Sequence, residues 1–104
     1  MKRLAPLFGL ALLAAPPASA ADGPPTLAYR QTCAQTPAVS MDKKSTEDSC
    51  RKDEEQARDQ LPPVWAKSDA RARSNCLAET TQGGLPSYVE LISCLEGNLS
   101  LKGK

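Results

Sequence analysis

The sequence contains no histidine, and aromatic residues make up only 4% of its 104 residues. The absence of histidine removes the commonest general base and the commonest nitrogen ligand of zinc. Closely spaced cysteines are missing as well, since the nearest two, Cys33 and Cys50, are 17 positions apart. Without a Cys-x-x-Cys motif, the sequence predicts neither a thioredoxin-like redox site nor a structural zinc site. We therefore expect no catalytic residues, no metal and no cofactor, and the chain is not predicted to be an enzyme.

The sequence also lacks an excess of charge of either sign. It has 13 lysines and arginines against 12 aspartates and glutamates, a net charge of +1. A balance so close to zero provides no field that would attract nucleic acid or an anionic membrane surface. We therefore expect no nucleic-acid partner.

The N-terminus has the three parts of a secretory signal peptide. Lys2 and Arg3 precede an apolar stretch at residues 4–15, and Ala18-x-Ala20 follows as a cleavage signal. The apolar stretch is shorter than the roughly 20 residues that a helix needs to span a bilayer. The residue directly after the cleavage signal is Ala21 and not a cysteine, so the sequence provides no thiol for a lipid anchor. We expect cleavage after residue 20, no membrane insertion after cleavage, and a periplasmic or secreted protein.

Four cysteines remain after this cleavage, namely Cys33, Cys50, Cys76 and Cys94. An even number in a short exported chain predicts structural disulfides. Sequential pairing, Cys33–Cys50 and Cys76–Cys94, is slightly favoured, because counting from a turn at 83–84 places the last two cysteines at similar heights. Nested pairing, Cys33–Cys94 and Cys50–Cys76, stays open.

Hydrophobic periodicity predicts an all-α fold, a small bundle of about three short helices. We expect a signal peptide at 1–20, an extended leader at 21–40 with a turn or two of helix, a helical domain at 41–100 and a frayed tail at 101–104. Pro62 and Pro63 should interrupt the first helix, because proline donates no backbone hydrogen bond. Ser68 should cap the second helix, and Pro86 should begin the third.

The third helix carries the clearest apolar stripe, which predicts most of the core. The expected core residues are Trp65, Tyr88, Leu91, Ile92 and Leu95.

Acidic residues cluster at 53–55 on the first helix. One interpretation makes Asp53, Glu54 and Glu55 a cation site or a docking face, and the favoured one makes them a solvated helix face.

Two segments carry a resemblance to known proteins. The first is Cys-x-x-Asp-Glu-x-x-Ala-Arg-x-x-Leu-x-x-x-Trp at 50–65, and the second is Pro-Ser-Tyr-Val-Glu-Leu-Ile-Ser-Cys-Leu at 86–95. With these motifs the chain, over about residues 47–97, resembles a group of small exported alphaproteobacterial proteins of rhizobial type. Members of that group end in a similar Pro-Ser-Tyr-Val-Glu-Leu-Leu-x-Cys-Leu helix. The resemblance implies a Gram-negative periplasmic setting and no particular activity.

These observations favour an exported, non-catalytic binding or interaction module, with an envelope protein as its partner. In that hypothesis Trp65, Tyr88 and the charged first helix would contact the partner. The alternative is a secreted effector or inhibitor that acts outside the cell. The near-neutral charge does not match the cationic face of membrane-active peptides.

Overall fold

The protein is described by a computed structural model, which covers residues 23–38 and 42–102. The predicted signal peptide at 1–20 and the last two residues of the predicted tail lie outside these ranges. Within them the chain forms four α-helices and no strand: α1 (Tyr29–Ala34), α2 (Lys43–Lys67), α3 (Ala70–Thr81) and α4 (Tyr88–Lys102). The all-α fold is therefore confirmed, although α2 continues past the two prolines at which the first helix was expected to end.

The boundary between α2 and α3 is set by two polar residues. Ser68 ends α2, since its backbone N–H donates to the Trp65 carbonyl and its hydroxyl donates to the Val64 carbonyl at 2.8 Å. The carboxylate of Asp69 then accepts the Ala72 N–H at 2.8 Å and caps α3. The prediction that Ser68 caps the second helix is therefore wrong by one residue.

The prediction that Pro62 and Pro63 interrupt the first helix is also wrong, because both lie inside α2. Each proline deprives a carbonyl four residues earlier of its hydrogen bond. Both prolines are exposed, as are the affected Arg58 and Asp59, so water can donate to those carbonyls instead. Helix continuity keeps the next turn of α2 in register with the core, where Trp65 is only 4% exposed. Packing therefore prevails over the local preference of the prolines.

The turn between α3 and α4 is made possible by Gly84, whose φ of 80° is in the left-handed region that favours glycine. Ser87 precedes α4, so the helix begins two residues after the predicted Pro86. The helix then continues through Gly97 to Lys102, whose ammonium group lies 2.6 Å from Asp69. Residues 101 and 102, predicted to be a frayed tail, therefore belong to α4.

Two disulfides join the helices in pairs. Cys33–Cys50 joins α1 to α2, and Cys76–Cys94 joins α3 to α4. This is the sequential pairing that the sequence favours, and the nested alternative is not present.

The core lies where α2 and α3 pack against α4. All five predicted core residues are buried, and the complete cluster consists of Leu27, Tyr29, Ala57, Leu61, Trp65, Ala72, Cys76, Tyr88, Leu91, Ile92 and Leu95. Leu27 and Tyr29 come from the interval predicted as an extended leader. That interval therefore contributes to the packed domain.

Candidate functional site

The most distinctive polar group of the fold is the side chain of Glu54, which is 4% exposed. It lies on the buried face of α2 with Ala57 and Leu61, and it is the charged residue of that face. One carboxylate oxygen accepts the backbone N–H of Tyr88 at 2.6 Å, and the other accepts the hydroxyl of Ser87 at 2.5 Å. A residue from the middle of one helix therefore caps the start of another.

The position of this carboxylate is electrostatically favourable. The first N–H groups of a helix have no partner inside the helix, and the helix dipole places partial positive charge there. A buried charge is costly unless it is hydrogen-bonded. Glu54 meets that condition through its hydrogen bonds to Ser87, directly before α4, and to Tyr88, the first residue of α4.

Thr80 completes the network around the start of α4. Its hydroxyl oxygen accepts the Ser87 N–H at 2.9 Å and lies 3.0 Å from a carboxylate oxygen of Glu90. The Ser87 hydroxyl oxygen in turn accepts the Glu90 N–H at 3.2 Å. In a capping box the glutamate side chain accepts the N–H of the cap residue directly. Here the Thr80 hydroxyl accepts the Ser87 N–H instead and links it to the Glu90 carboxylate.

These residues were not predicted from the sequence as a site, although two signals were present. Ser87 and Glu90 have the Ser-x-x-Glu spacing of a capping box. Glu54 occupies a core position in the helical stripe of α2, where an acidic residue requires a partner. The residues around Glu54 in the sequence do not identify that partner, since Ser87 lies 33 positions away.

The network contains a carboxylate and hydroxyl groups, which can perform acid–base chemistry, but these groups are engaged in hydrogen bonds inside the fold. Glu54, Thr80 and Ser87 are all buried. Glu54 and Ser87 bond to each other and to the backbone of α4, while Thr80 bonds to Ser87 and also donates to the Glu90 side chain. A carboxylate and a hydroxyl so engaged hold α4 against α2.

The acidic residues at 53–55 do not form a common face. Asp53 is exposed, Glu54 is buried, and Glu55 accepts the Tyr29 hydroxyl at 2.8 Å. The part of the chain that the structure describes contains no group of three or more histidine, cysteine, aspartate or glutamate side chains suited to a metal ion. Both interpretations of this cluster are therefore wrong for Glu54, which neither faces solvent nor joins a cation site.

The two aromatic residues proposed to contact a partner make their contacts within the fold. The Tyr88 hydroxyl oxygen accepts the Leu27 N–H at 2.9 Å, and the ring centroid lies 5.8 Å from that of Tyr29. The guanidinium of Arg73 lies 5.2 Å from the Trp65 ring centroid, and its Nε donates to the Trp65 carbonyl. Trp65 and Tyr88 are therefore core residues and are not exposed to a partner.

An open cavity of about 480 Å³ is lined by residues of α3 and α4. Glu54 and Ser87 are not among the residues that line it, which are Cys76, Glu79, Thr80, Val89, Glu90, Ser93 and Cys94. Val89 is 39% exposed, and Leu85, on the loop before α4, is 40% exposed. The cavity lining therefore combines an exposed apolar side chain, Val89, with two exposed carboxylates, Glu79 and Glu90.

The described residues contain no helix that is both long and apolar enough to cross a membrane. The two disulfides are typical of proteins that fold in an oxidising compartment.

No family model, curated protein or solved structure matches the chain. The resemblance to small exported alphaproteobacterial proteins therefore stays a prediction.

Proposed function

We propose that the chain is an exported, non-catalytic interaction module of the bacterial periplasm. In this role a small helical frame presents a fixed surface to another envelope protein. The signal-peptide pattern at 1–20 and the two disulfides support export to an oxidising compartment.

The proposal rests on one observation, namely that the hydrogen-bonded pair Glu54 and Ser87 has a structural role. In an enzyme, a carboxylate beside a hydroxyl is expected to face a cavity that a substrate can enter. Here the pair is buried at the start of α4, and the nearby cavity is lined by other side chains. Because these groups hold two helices together, they support a structural frame whose activity lies on its surface.

The compartment is tested by fractionating the producing cells and measuring the intact mass of the protein. We expect a periplasmic chain that begins at Ala21 and has four cysteines that are alkylated only after reduction. Recovery of the chain mainly from the culture medium would support the secreted effector or inhibitor instead. Thiols that react without reduction would contradict the two-disulfide frame.

The interaction role is tested by crosslinking in intact cells. A tagged copy at its natural expression level is treated with an amine-reactive crosslinker, and the products are identified by mass spectrometry. We expect one dominant partner of defined mass. An unrelated exported disulfide protein of similar size, tagged in the same way, is the control. A crosslinking pattern indistinguishable from that control would contradict the proposal.

A further inference from the structure

We propose that the α3–α4 side of the protein binds a basic, partly apolar peptide segment of a partner protein. This inference rests on the proposed interaction function and assigns it a surface. The surface, called the acidic groove here, is formed by Glu79 of α3 and by Val89, Glu90 and Ser93 of α4.

The groove is open and presents the exposed apolar side chain of Val89. Its open volume of about 480 Å³ can admit a side chain of a partner. Of the large apolar side chains in the described ranges, the exposed ones are Leu85, Val89 and Leu101. Val89 lines the groove and Leu85 lies four positions earlier on the adjoining loop. An apolar side chain of a partner would therefore find apolar surface here.

The charge of the region selects a basic partner. The lining of the groove contains two carboxylates, Glu79 and Glu90, and no lysine or arginine, whereas the basic residues of the same two helices, Arg71, Arg73 and Lys102, do not line it. Lys102 is bonded to Asp69, and Arg73 donates to the Trp65 carbonyl. The negative charge of the groove lining therefore complements lysine or arginine on a partner.

The two groove carboxylates are held on a common frame. Glu79 lies on α3 and Glu90 on α4, and the Cys76–Cys94 disulfide joins these helices beside the groove. The Thr80 hydroxyl lies 3.0 Å from a carboxylate oxygen of Glu90. A surface that is fixed before binding loses little conformational entropy on binding, which favours recognition of a short segment.

The test is an NMR titration of the ¹⁵N-labelled mature protein with both disulfides intact. The probe is a peptide of four Lys-Leu repeats, compared with peptides of Lys-Ser and of Glu-Leu repeats. We expect the Lys-Leu peptide to shift the amide signals of the groove residues and of Leu85. The Lys-Ser peptide should bind more weakly, and the Glu-Leu peptide should not bind. Raising the salt from about 20 to about 300 mM should weaken binding, because exposed charges are screened.

Variants assign the binding to particular side chains. Glu79→Gln and Glu90→Gln should each weaken binding about two- to fivefold, as expected for exposed ion pairs. Val89→Ser should weaken binding about threefold, because only the exposed 39% of the valine is left for a partner to bury. Glu96→Gln is the matched control, since it removes an exposed carboxylate of the same helix that does not line the groove.

Three results would overturn the inference. One is no localised shift at millimolar Lys-Leu peptide, and another is an equal effect of Glu96→Gln and Glu90→Gln. The third is tighter binding of a simple alkyl diamine than of the peptide, which would identify a small-molecule cation site. Any of these, combined with a partner recovered by crosslinking in cells, would leave the interaction function standing and place its surface elsewhere.

Discussion

Replacing Glu54 with alanine should be among the most destabilising single changes in this chain. The substitution leaves the Ser87 hydroxyl and the Tyr88 N–H without their acceptor in a buried position. Each unsatisfied buried group costs about 1–3 kcal/mol, and the loss of the side-chain methylenes leaves a void. We therefore expect a loss of about 3–5 kcal/mol in the free energy of unfolding. That is a large share of the roughly 5–15 kcal/mol typical of a small domain.

Two further variants separate the hydrogen bonds from the volume. Glu54→Gln keeps the shape and one acceptor oxygen, so it should cost about 1–2 kcal/mol. Asp53→Ala removes the neighbouring exposed carboxylate and should change stability by less than about 0.5 kcal/mol. The assay is denaturant unfolding followed by far-ultraviolet circular dichroism, with the disulfides intact. A Glu54→Ala cost no larger than that of Asp53→Ala would refute the capping role.

Three other changes test the frame. Pro62→Ala should stabilise the protein by about 1–2 kcal/mol in denaturant unfolding, because it restores a backbone hydrogen bond at an exposed helical position; destabilisation would contradict this. The double variant Cys33→Ser and Cys50→Ser should lose about 3 kcal/mol by the same measurement, and unchanged stability would show that the bridge does not constrain the unfolded chain. Lys102 and the Ala72 N–H lower the pKa of Asp69, so its contribution is complete above about pH 4 and is lost as the pH falls through the lowered pKa. The stability gap between wild type and Asp69→Asn should therefore shrink in acid, and a gap that widens would refute the assignment.

The parts of the fold that the sequence predicted are those encoded by local spacing. The apolar stripe of α4 places Leu91, Ile92 and Leu95 on one face, and all three are buried. The spacing of Cys76 and Cys94 around the glycine turn favours the pairing that the structure contains. Such features depend on helical geometry within a few turns, which the sequence displays directly.

The parts that the sequence did not predict depend on contacts between distant residues. The local rule for proline ends a helix at Pro62, but Leu61 and Trp65 are core residues that require the helix to continue in register. In the same way, the charged surroundings of Glu54 favoured a solvated face. Its buried position follows only once the start of α4 is known to pack against α2.

Glu79 offers a test that separates the needs of the fold from those of binding. It lies in the last turn of α3, where the helix dipole disfavours an acidic side chain. The fold therefore gives no electrostatic reason for a carboxylate at this position, whereas binding of a basic segment does. We expect Glu79→Gln to stabilise the protein by about 0.3–1 kcal/mol in denaturant unfolding and to weaken binding of the Lys-Leu peptide.

Glu90 provides the comparison, because it lies in the first turn of α4, where the dipole favours it. Glu90→Gln should therefore weaken binding and also reduce stability slightly. A loss of stability in Glu79→Gln equal to that in Glu90→Gln would mean that the fold itself requires Glu79. If Glu79→Gln raises stability, Glu90→Gln lowers it and both weaken binding, then the acidic residue at position 79 serves binding of the partner. It does so at a small cost in helix stability.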